Sequence, residues 1–298
     1  MSSRVIRMAA IAGVTALTVF TATSCADGDG GGDTDGKGGK HETAERGAHW
    51  GYGRADGPAN WATLAEDFEA CEAGREQSPI DLGDDKDDGK NDDKNDDKND
   101  DKDDGKNDGK VVERAVEKAV TIDYEPVTAE LVNNGHTVQA KVSTGSQIVI
   151  DGTSYGLKQF HFHLPSEHTE EGEHTAMEMH FVHADKNGEP AVVGVLMEEK
   201  AGKSAFADLF KKLPSEEGAT AKITKAFDLT AFLPGDRDQY QYEGSLTTPP
   251  CTEGVKWTVL KDPVRVAPDE VAAYKELFPK SNRPTQPLID RELTVVDE

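Results

Sequence analysis

The chain has 298 residues, with 33 Lys and Arg against 57 Asp and Glu, and a formal net charge of −24. Much of the acidic excess is concentrated in one stretch, so it describes that stretch more than any folded surface. No basic cluster is dense enough to suggest a nucleic-acid partner.

In chain order, residues 1–24 read as an export signal. Arg4 and Arg7 form a basic start, and Met8 to Ala22 is apolar or small, uncharged, and short for a membrane span. The run Ala22-Thr23-Ser24-Cys25 resembles the lipobox of bacterial lipoproteins, in which the cysteine becomes a lipidated N-terminus. Ala22 stands where that pattern usually has Leu. The expectation is a cell-envelope protein held on the outer face of a membrane by a lipid on Cys25. The alternative is ordinary cleavage nearby, for instance after Ala26, with release of a soluble protein. Residues 25–47 are rich in Gly and Asp and form a flexible tether.

The folded domain is expected over 48–298, beginning at His49-Trp50-Gly51-Tyr52 with apolar support from Trp61, Leu64 and Phe68. Residues 84–110 interrupt it with Asp, Lys, Asn and Gly alone, and Lys90-Asn91-Asp92-Asp93 recurs along the stretch. Nothing there can build a core, so it reads as a disordered insertion in a surface loop. Neither the Gly turn nor the bidentate Glu of a calcium loop stands at its required position.

From Thr121 to Asp262 the pattern is mostly that of strands. Thr121–Tyr124, Thr137–Val142 and Gln147–Ile150 alternate, and Pro190–Met197 is apolar throughout, as in a strand buried on both faces. Helices are expected at Ser204–Leu213 and Asp269–Leu277. The class is α+β, mainly β: a single domain large enough for a core. Exported cysteines tend to pair. With Cys25 lipidated, Cys71 and Cys251 remain as an even pair, so a Cys71–Cys251 disulfide is expected, with two buried free thiols as the alternative.

The chemistry concentrates in Gln159-Phe160-His161-Phe162-His163 and in Met177-Glu178-Met179-His180-Phe181-Val182-His183. Strand side chains alternate, so His161 and His163 share a face, about 7 Å apart along the strand. Glu178, His180 and Val182 share a face of the second strand. If the two strands pair, three neutral imidazoles on a rigid sheet suit zinc with a fourth position left open, the mark of a catalytic site. Gln159 and Glu178 lie two residues before a ligand on the same face and can fix the second ring nitrogen. His41, His49, His174 and His183 read as tether, surface or packing residues.

These segments, with Ser166-Glu167-His168-Thr169, Gly244-Ser245-Leu246-Thr247-Thr248-Pro249-Pro250-Cys251, Gln77-Ser78-Pro79-Ile80, Asn134-Gly135-His136 and Asn282-Arg283-Pro284-Thr285-Gln286, resemble the alpha-class carbonic anhydrases. The resemblance covers 49–83 and 121–295 in the family's order. It implies a twisted, largely antiparallel sheet with short peripheral helices, and one zinc ion per chain held by His161, His163 and His180. The implied reaction is reversible hydration of carbon dioxide to bicarbonate and a proton.

By position, the resemblance makes Thr247 the residue that orients the attacking hydroxide and donates to Glu167, and His136 the proton shuttle. Gln159 and Glu178 buttress the ligands, with His168 and Tyr242 in a buried network beside Glu178. Val182, Val192, Leu246, Val255 and Trp257 form the apolar wall for carbon dioxide, and Thr248, Asn134 and Tyr52 order water. Cys71 and Cys251 match a disulfide of exported members. Leu164-Pro165 stands where animal members have Trp-Gly. The intact ligand set disfavours a binding module, strand-borne ligands disfavour a flexible zinc carrier, and the absent His-Glu-x-x-His motif disfavours a peptidase. No obligate protein partner is evident, and membrane contact is expected through the lipid alone.

Overall fold

Runs of β-branched and aromatic residues punctuated by Gly and Asn extend the backbone wherever side chains can pack on both sides of a pleat. The computed structural model describes residues 48–83, 110–114 and 119–297. The signal, the tether and 84–109 lie outside the described residues. The strands are β1 (Lys110–Arg114), β2 (Thr121–Asp123), β3 (Val127–Asn133), β4 (Val138–Val142), β5 (Gln147–Ile150), β6 (Thr153–His163) and β7 (Thr169–Glu170). They continue as β8 (Glu173–His174), β9 (Met177–Ala184), β10 (Pro190–Glu199), β11 (Thr220–Phe227), β12 (Gln239–Ser245), β13 (Glu253–Val266) and β14 (Glu292–Val296).

One sheet runs β1-β14-β12-β13-β10-β9-β6-β4-β3-β11, with β5 joined to β6 and β2 to β5. Among the described residues its pairs are antiparallel except β1–β14 and β10–β13. Lys110, which the sequence reading places in the insertion, begins β1. It does so because the run Val111-Val112 that follows favours the sheet edge.

Helices are few and short: α1 (Trp61–Leu64), α2 (Ala70–Ala73), α3 (Ala207–Phe210) and α4 (Pro268–Leu277). The helix expected at Ser204–Leu213 is confined to α3. Phe206, Leu209 and Phe210 are buried, so packing is satisfied by a single turn before Leu213-Pro214 ends it. In α4, Pro268 sits in the first turn and the Glu270 carboxylate accepts the Ala267 N–H at 2.9 Å, a stable start.

Alternation divides the core. Phe160, Phe162, Met179, Phe181, Val193 and Val195 join a large cluster on one face of the sheet. Val192, Leu196, Val255, Trp257 and Val259 join a smaller cluster with Ile80 and Leu82 on the other. β10 carries buried residues of both sets, as its continuous apolar run predicts. Cys71 and Cys251 form a disulfide with Cα atoms 5.0 Å apart, packed with Trp61.

Candidate metal centre

The site is built where β6 and β9 pair. Their antiparallel register sets His161 directly opposite His180, and His163 follows two residues along β6 on the same face. The ring centroids are 5.0 Å apart for His161–His163, 5.3 Å for His161–His180 and 4.6 Å for His163–His180. One nitrogen from each ring falls within 4.8 Å of the others. Across from His180, β10 presents Gly194, where a β-carbon would stand 3.0 Å from Glu178 Oε1. A residue without Cβ admits that carboxylate.

Each histidine is oriented through its other nitrogen. His161 Nδ1 donates to Gln159 Oε1 at 2.9 Å, His163 Nδ1 to the Ser281 carbonyl at 2.5 Å, and His180 Nε2 to Glu178 Oε1 at 2.8 Å. The nitrogens left are His161 Nε2, His163 Nε2 and His180 Nδ1. His163 Nε2 is fully buried and has no hydrogen-bond partner. An orphaned buried acceptor facing two more imidazoles needs a cation or water to satisfy it. Burial and the neighbouring rings push His161 well below the usual histidine range and His163 down to about 3, and burial lowers His180. All three rings are therefore neutral at pH 7, the state that binds a metal. The donor set and its hydrogen-bonded supports fit zinc.

Glu178 anchors the surroundings. Its Oε2 accepts the backbone N–H groups of Glu167 and His168 at 2.8 Å each, and its Oε1 accepts His168 Nδ1 at 2.7 Å besides His180. Burial alone would raise this carboxyl, but His168 and His180 hold it well below the usual range. His168 Nε2 meets the Tyr242 hydroxyl at 2.7 Å, which donates to Ser78 Oγ at 2.9 Å. These bonds join Glu178, His168, His180 and Tyr242 in one buried network.

Glu167 is buried beside the histidines, 3.4 Å from His163 and 3.9 Å from His180. Its Oε1 accepts the Arg283 N–H at 2.8 Å, and its Oε2 is buried without a satisfied hydrogen bond. Burial raises its carboxyl well above the usual range, while the adjacent Thr247 hydroxyl and the Arg283 N–H pull against it. A cation held among the histidines would act in that same lowering direction. Thr247 and Thr248 lie in the β12–β13 loop, closed by Cys251 N–H to Thr248 O at 2.9 Å.

A cavity of about 120 Å³ opens from His161 and His163. Tyr52, Asn134, His136, Gln159 and Thr248, all named from the sequence, line it. His136 stacks on Trp50 with centroids 3.7 Å apart and planes 5° apart. The residues expected to form the apolar wall gather around Trp257, whose ring lies 4.9 Å from His180. Val192 pairs with both Val182 and Trp257, and Val255 and Leu246 complete the cluster. His183 faces the opposite side, buried, with Nε2 3.0 Å from the Tyr124 hydroxyl and Nδ1 3.3 Å from the Ala191 carbonyl.

Five contributors escaped the sequence reading: Trp50, Thr137, Gln139, the Ser281 carbonyl and the Arg283 N–H. Gln139 also lines the cavity, and its signal was present. It is the polar residue between buried Val138 and Ala140 on β4, which puts it on the other face.

The model of the eukaryotic-type carbonic anhydrase family matches residues 56–296. A carbonic anhydrase of Klebsiella pneumoniae is 38% identical over 82% of this chain and 89% of its own length. One from Nostoc sp. is 35% identical over 82% and 84%. Among solved structures, the alpha-carbonic anhydrase of Thermovibrio ammonificans, in complex with the inhibitor sulfanilamide, superposes with a TM-score of 0.68 at 34% identity, covering 83% of this chain and 99% of that one.

Proposed function

The chain belongs to the eukaryotic-type, alpha-class carbonic anhydrase family and hydrates carbon dioxide reversibly to bicarbonate and a proton, and we propose that it does so with the residues assembled above. His161, His163 and His180 hold zinc. The observation that carries this assignment is the buried, partnerless His163 Nε2 turned toward two other neutral imidazoles. Bound zinc supplies Lewis-acid chemistry, which lowers the pKa of water to about 7.

The protein supplies orientation, exclusion and proton movement. Thr247 donates its hydroxyl proton toward Glu167 and so presents a lone pair to the cavity. An ionised carboxylate is acceptor-only, which sets that direction. Val182, Val192, Leu246, Val255 and Trp257 give the small apolar substrate a dry wall and need no charged clamp. The Thr247 backbone N–H faces the oxygen on which negative charge develops. His136 takes up the proton released in the cavity and hands it to buffer, with Asn134, Thr248 and Tyr52 ordering the intervening water.

The remaining organisation follows the sequence reading: a signal over 1–24, a tether over 25–47, and a catalytic domain over 48–298 interrupted after Gly83. Export is supported by the Cys71–Cys251 disulfide, which persists in oxidising compartments. Among the described residues no helix is long and apolar enough to cross a membrane. Attachment rests on Cys25.

The test of the central assignment is stopped-flow hydration of carbon dioxide by the full chain, before and after zinc removal. Activity that disappears with a strong chelator and returns with zinc is expected. A folded, zinc-loaded chain without activity would overturn the assignment.

A further inference from the structure

The turn that carries His136 is fixed from two sides. On the inner side, Thr137 Oγ1 and the Tyr274 hydroxyl lie 2.9 Å apart, and each stands 2.8 Å from the Phe162 carbonyl of β6. On the outer side the segment 214–219 is tied down. Gly218 N–H donates to Asn133 O at 2.8 Å, Asn133 N–H to Ala219 O at 3.1 Å, and Asn133 Nδ2 to Pro214 O at 3.1 Å. Within the turn, Asn134 Oδ1 accepts the His136 N–H at 3.0 Å and the Thr137 N–H at 2.9 Å.

This clamp delivers one charged group. Gly135 has φ +86°, and a β-carbon there would stand 3.0 Å from Glu217 Cδ. The Glu217 carboxyl thus packs on the backbone next to His136 while remaining exposed. The other charged or titratable groups near His136 are His49 and Asp56 of the N-terminal segment, with His49 Nδ1 3.8 Å from Asp56 Oδ2, and Tyr52, His161 and His163, which line the same cavity. Trp50 covers the His136 ring and carries no charge. Burial and His49 push His136 below the usual histidine range, and Glu217 followed by Asp56 oppose them.

We propose that Glu217 is a positioning residue for proton export: its carboxylate, carried on the clamped 214–219 segment and packed over Gly135, stabilises the proton-bearing form of His136. The proposal rests on the reading of His136 as the shuttle. In the step concerned, an O–H bond of a cavity water breaks as an N–H bond forms on His136. That N–H bond then breaks as a buffer base takes the proton, so no net charge accumulates on the ring. A negative charge beside the turn favours the intermediate, cationic state, and being exposed it is screened by salt.

The experiment uses the zinc-loaded full chain and the variants Glu217→Gln and Glu217→Lys. The His136 pKa is followed by NMR titration in low salt, with its resonance identified by its loss in His136→Ala. Glu217→Gln is expected to lower that pKa by about 0.3 pH units and Glu217→Lys by roughly twice as much, both shifts shrinking in concentrated salt. In dilute buffer near pH 7 the turnover of Glu217→Lys should fall about twofold, while kcat/KM for carbon dioxide holds and added imidazole restores turnover. An unchanged His136 pKa in both variants, or a shift indifferent to salt, overturns the role of Glu217. Full turnover of His136→Ala in dilute buffer overturns the shuttle reading instead, and that result leaves the titration arm to judge Glu217's field on its own.

Discussion

Replacing Glu178 by Gln changes no volume and tests the logic of the centre. The carboxylate accepts four hydrogen bonds: two backbone N–H groups on Oε2 and two imidazole N–H groups on Oε1. An amide offers one oxygen and one NH₂. If the NH₂ faces the backbone of Glu167 and His168, donors meet donors, and two bonds to a charged acceptor are lost at about 1.5–3 kcal/mol each. If it faces the rings, the backbone bonds survive, but His168 and His180 must each turn a bare nitrogen toward residue 178. The rings can comply by moving a proton. His180 then carries hydrogen on Nδ1, the nitrogen that faces His161 and His163. The second arrangement costs less, so the variant should fold and bind zinc poorly. Loss of such an outer partner typically weakens affinity 10–100-fold. Competition with a chromophoric chelator measures the zinc affinity, and urea unfolding of the metal-free chain measures stability. A zinc affinity within about twofold of the original would refute the reasoning.

Acid stability should report on His183, buried with its Nε2 against the Tyr124 hydroxyl. Burial lowers its pKa from 6.5 to about 3, so between those values the unfolded chain binds the extra proton. Its contribution is complete above pH 6.5 and declines as pH falls toward 3, amounting to roughly 2 kcal/mol lost by pH 5. Urea unfolding of the metal-free chain at pH 7 and pH 5 should lose about that much more than His183→Leu does, and equal losses would rule the mechanism out. The disulfide closes a separation of 180 residues, and replacing both cysteines by Ala should cost up to about 5 kcal/mol in urea unfolding. A cost below about 1 kcal/mol would show that the unfolded chain gains little freedom. Cys25→Ser should shift the protein from the membrane fraction to the medium, and an unchanged distribution would remove the lipid anchor.

Legibility followed the range of the physics. A pleat repeats every two residues, so the shared face of His161 and His163, the partners Gln159 and Glu178, and the burial of Phe160, Phe162 and Phe181 could be read from neighbouring residues alone. The same rule placed His183 away from His180 and marked β10 as buried on both faces. Helix extent was less legible, because α3 ends where its three apolar contacts are made and not where its propensity fades. Alternation gives each strand's faces but not its partner. That β6 meets β9 with His161 opposite His180 is decided by the sheet as a whole. The Arg283 N–H reaches Glu167 across 116 residues, the Ser281 carbonyl reaches His163 across 118, and Trp50 covers His136 from the far N-terminal side. A backbone carbonyl or N–H carries no side-chain signature, since every residue except proline has both. Which of them is held at the metal centre is settled only when the tertiary fold brings distant segments together.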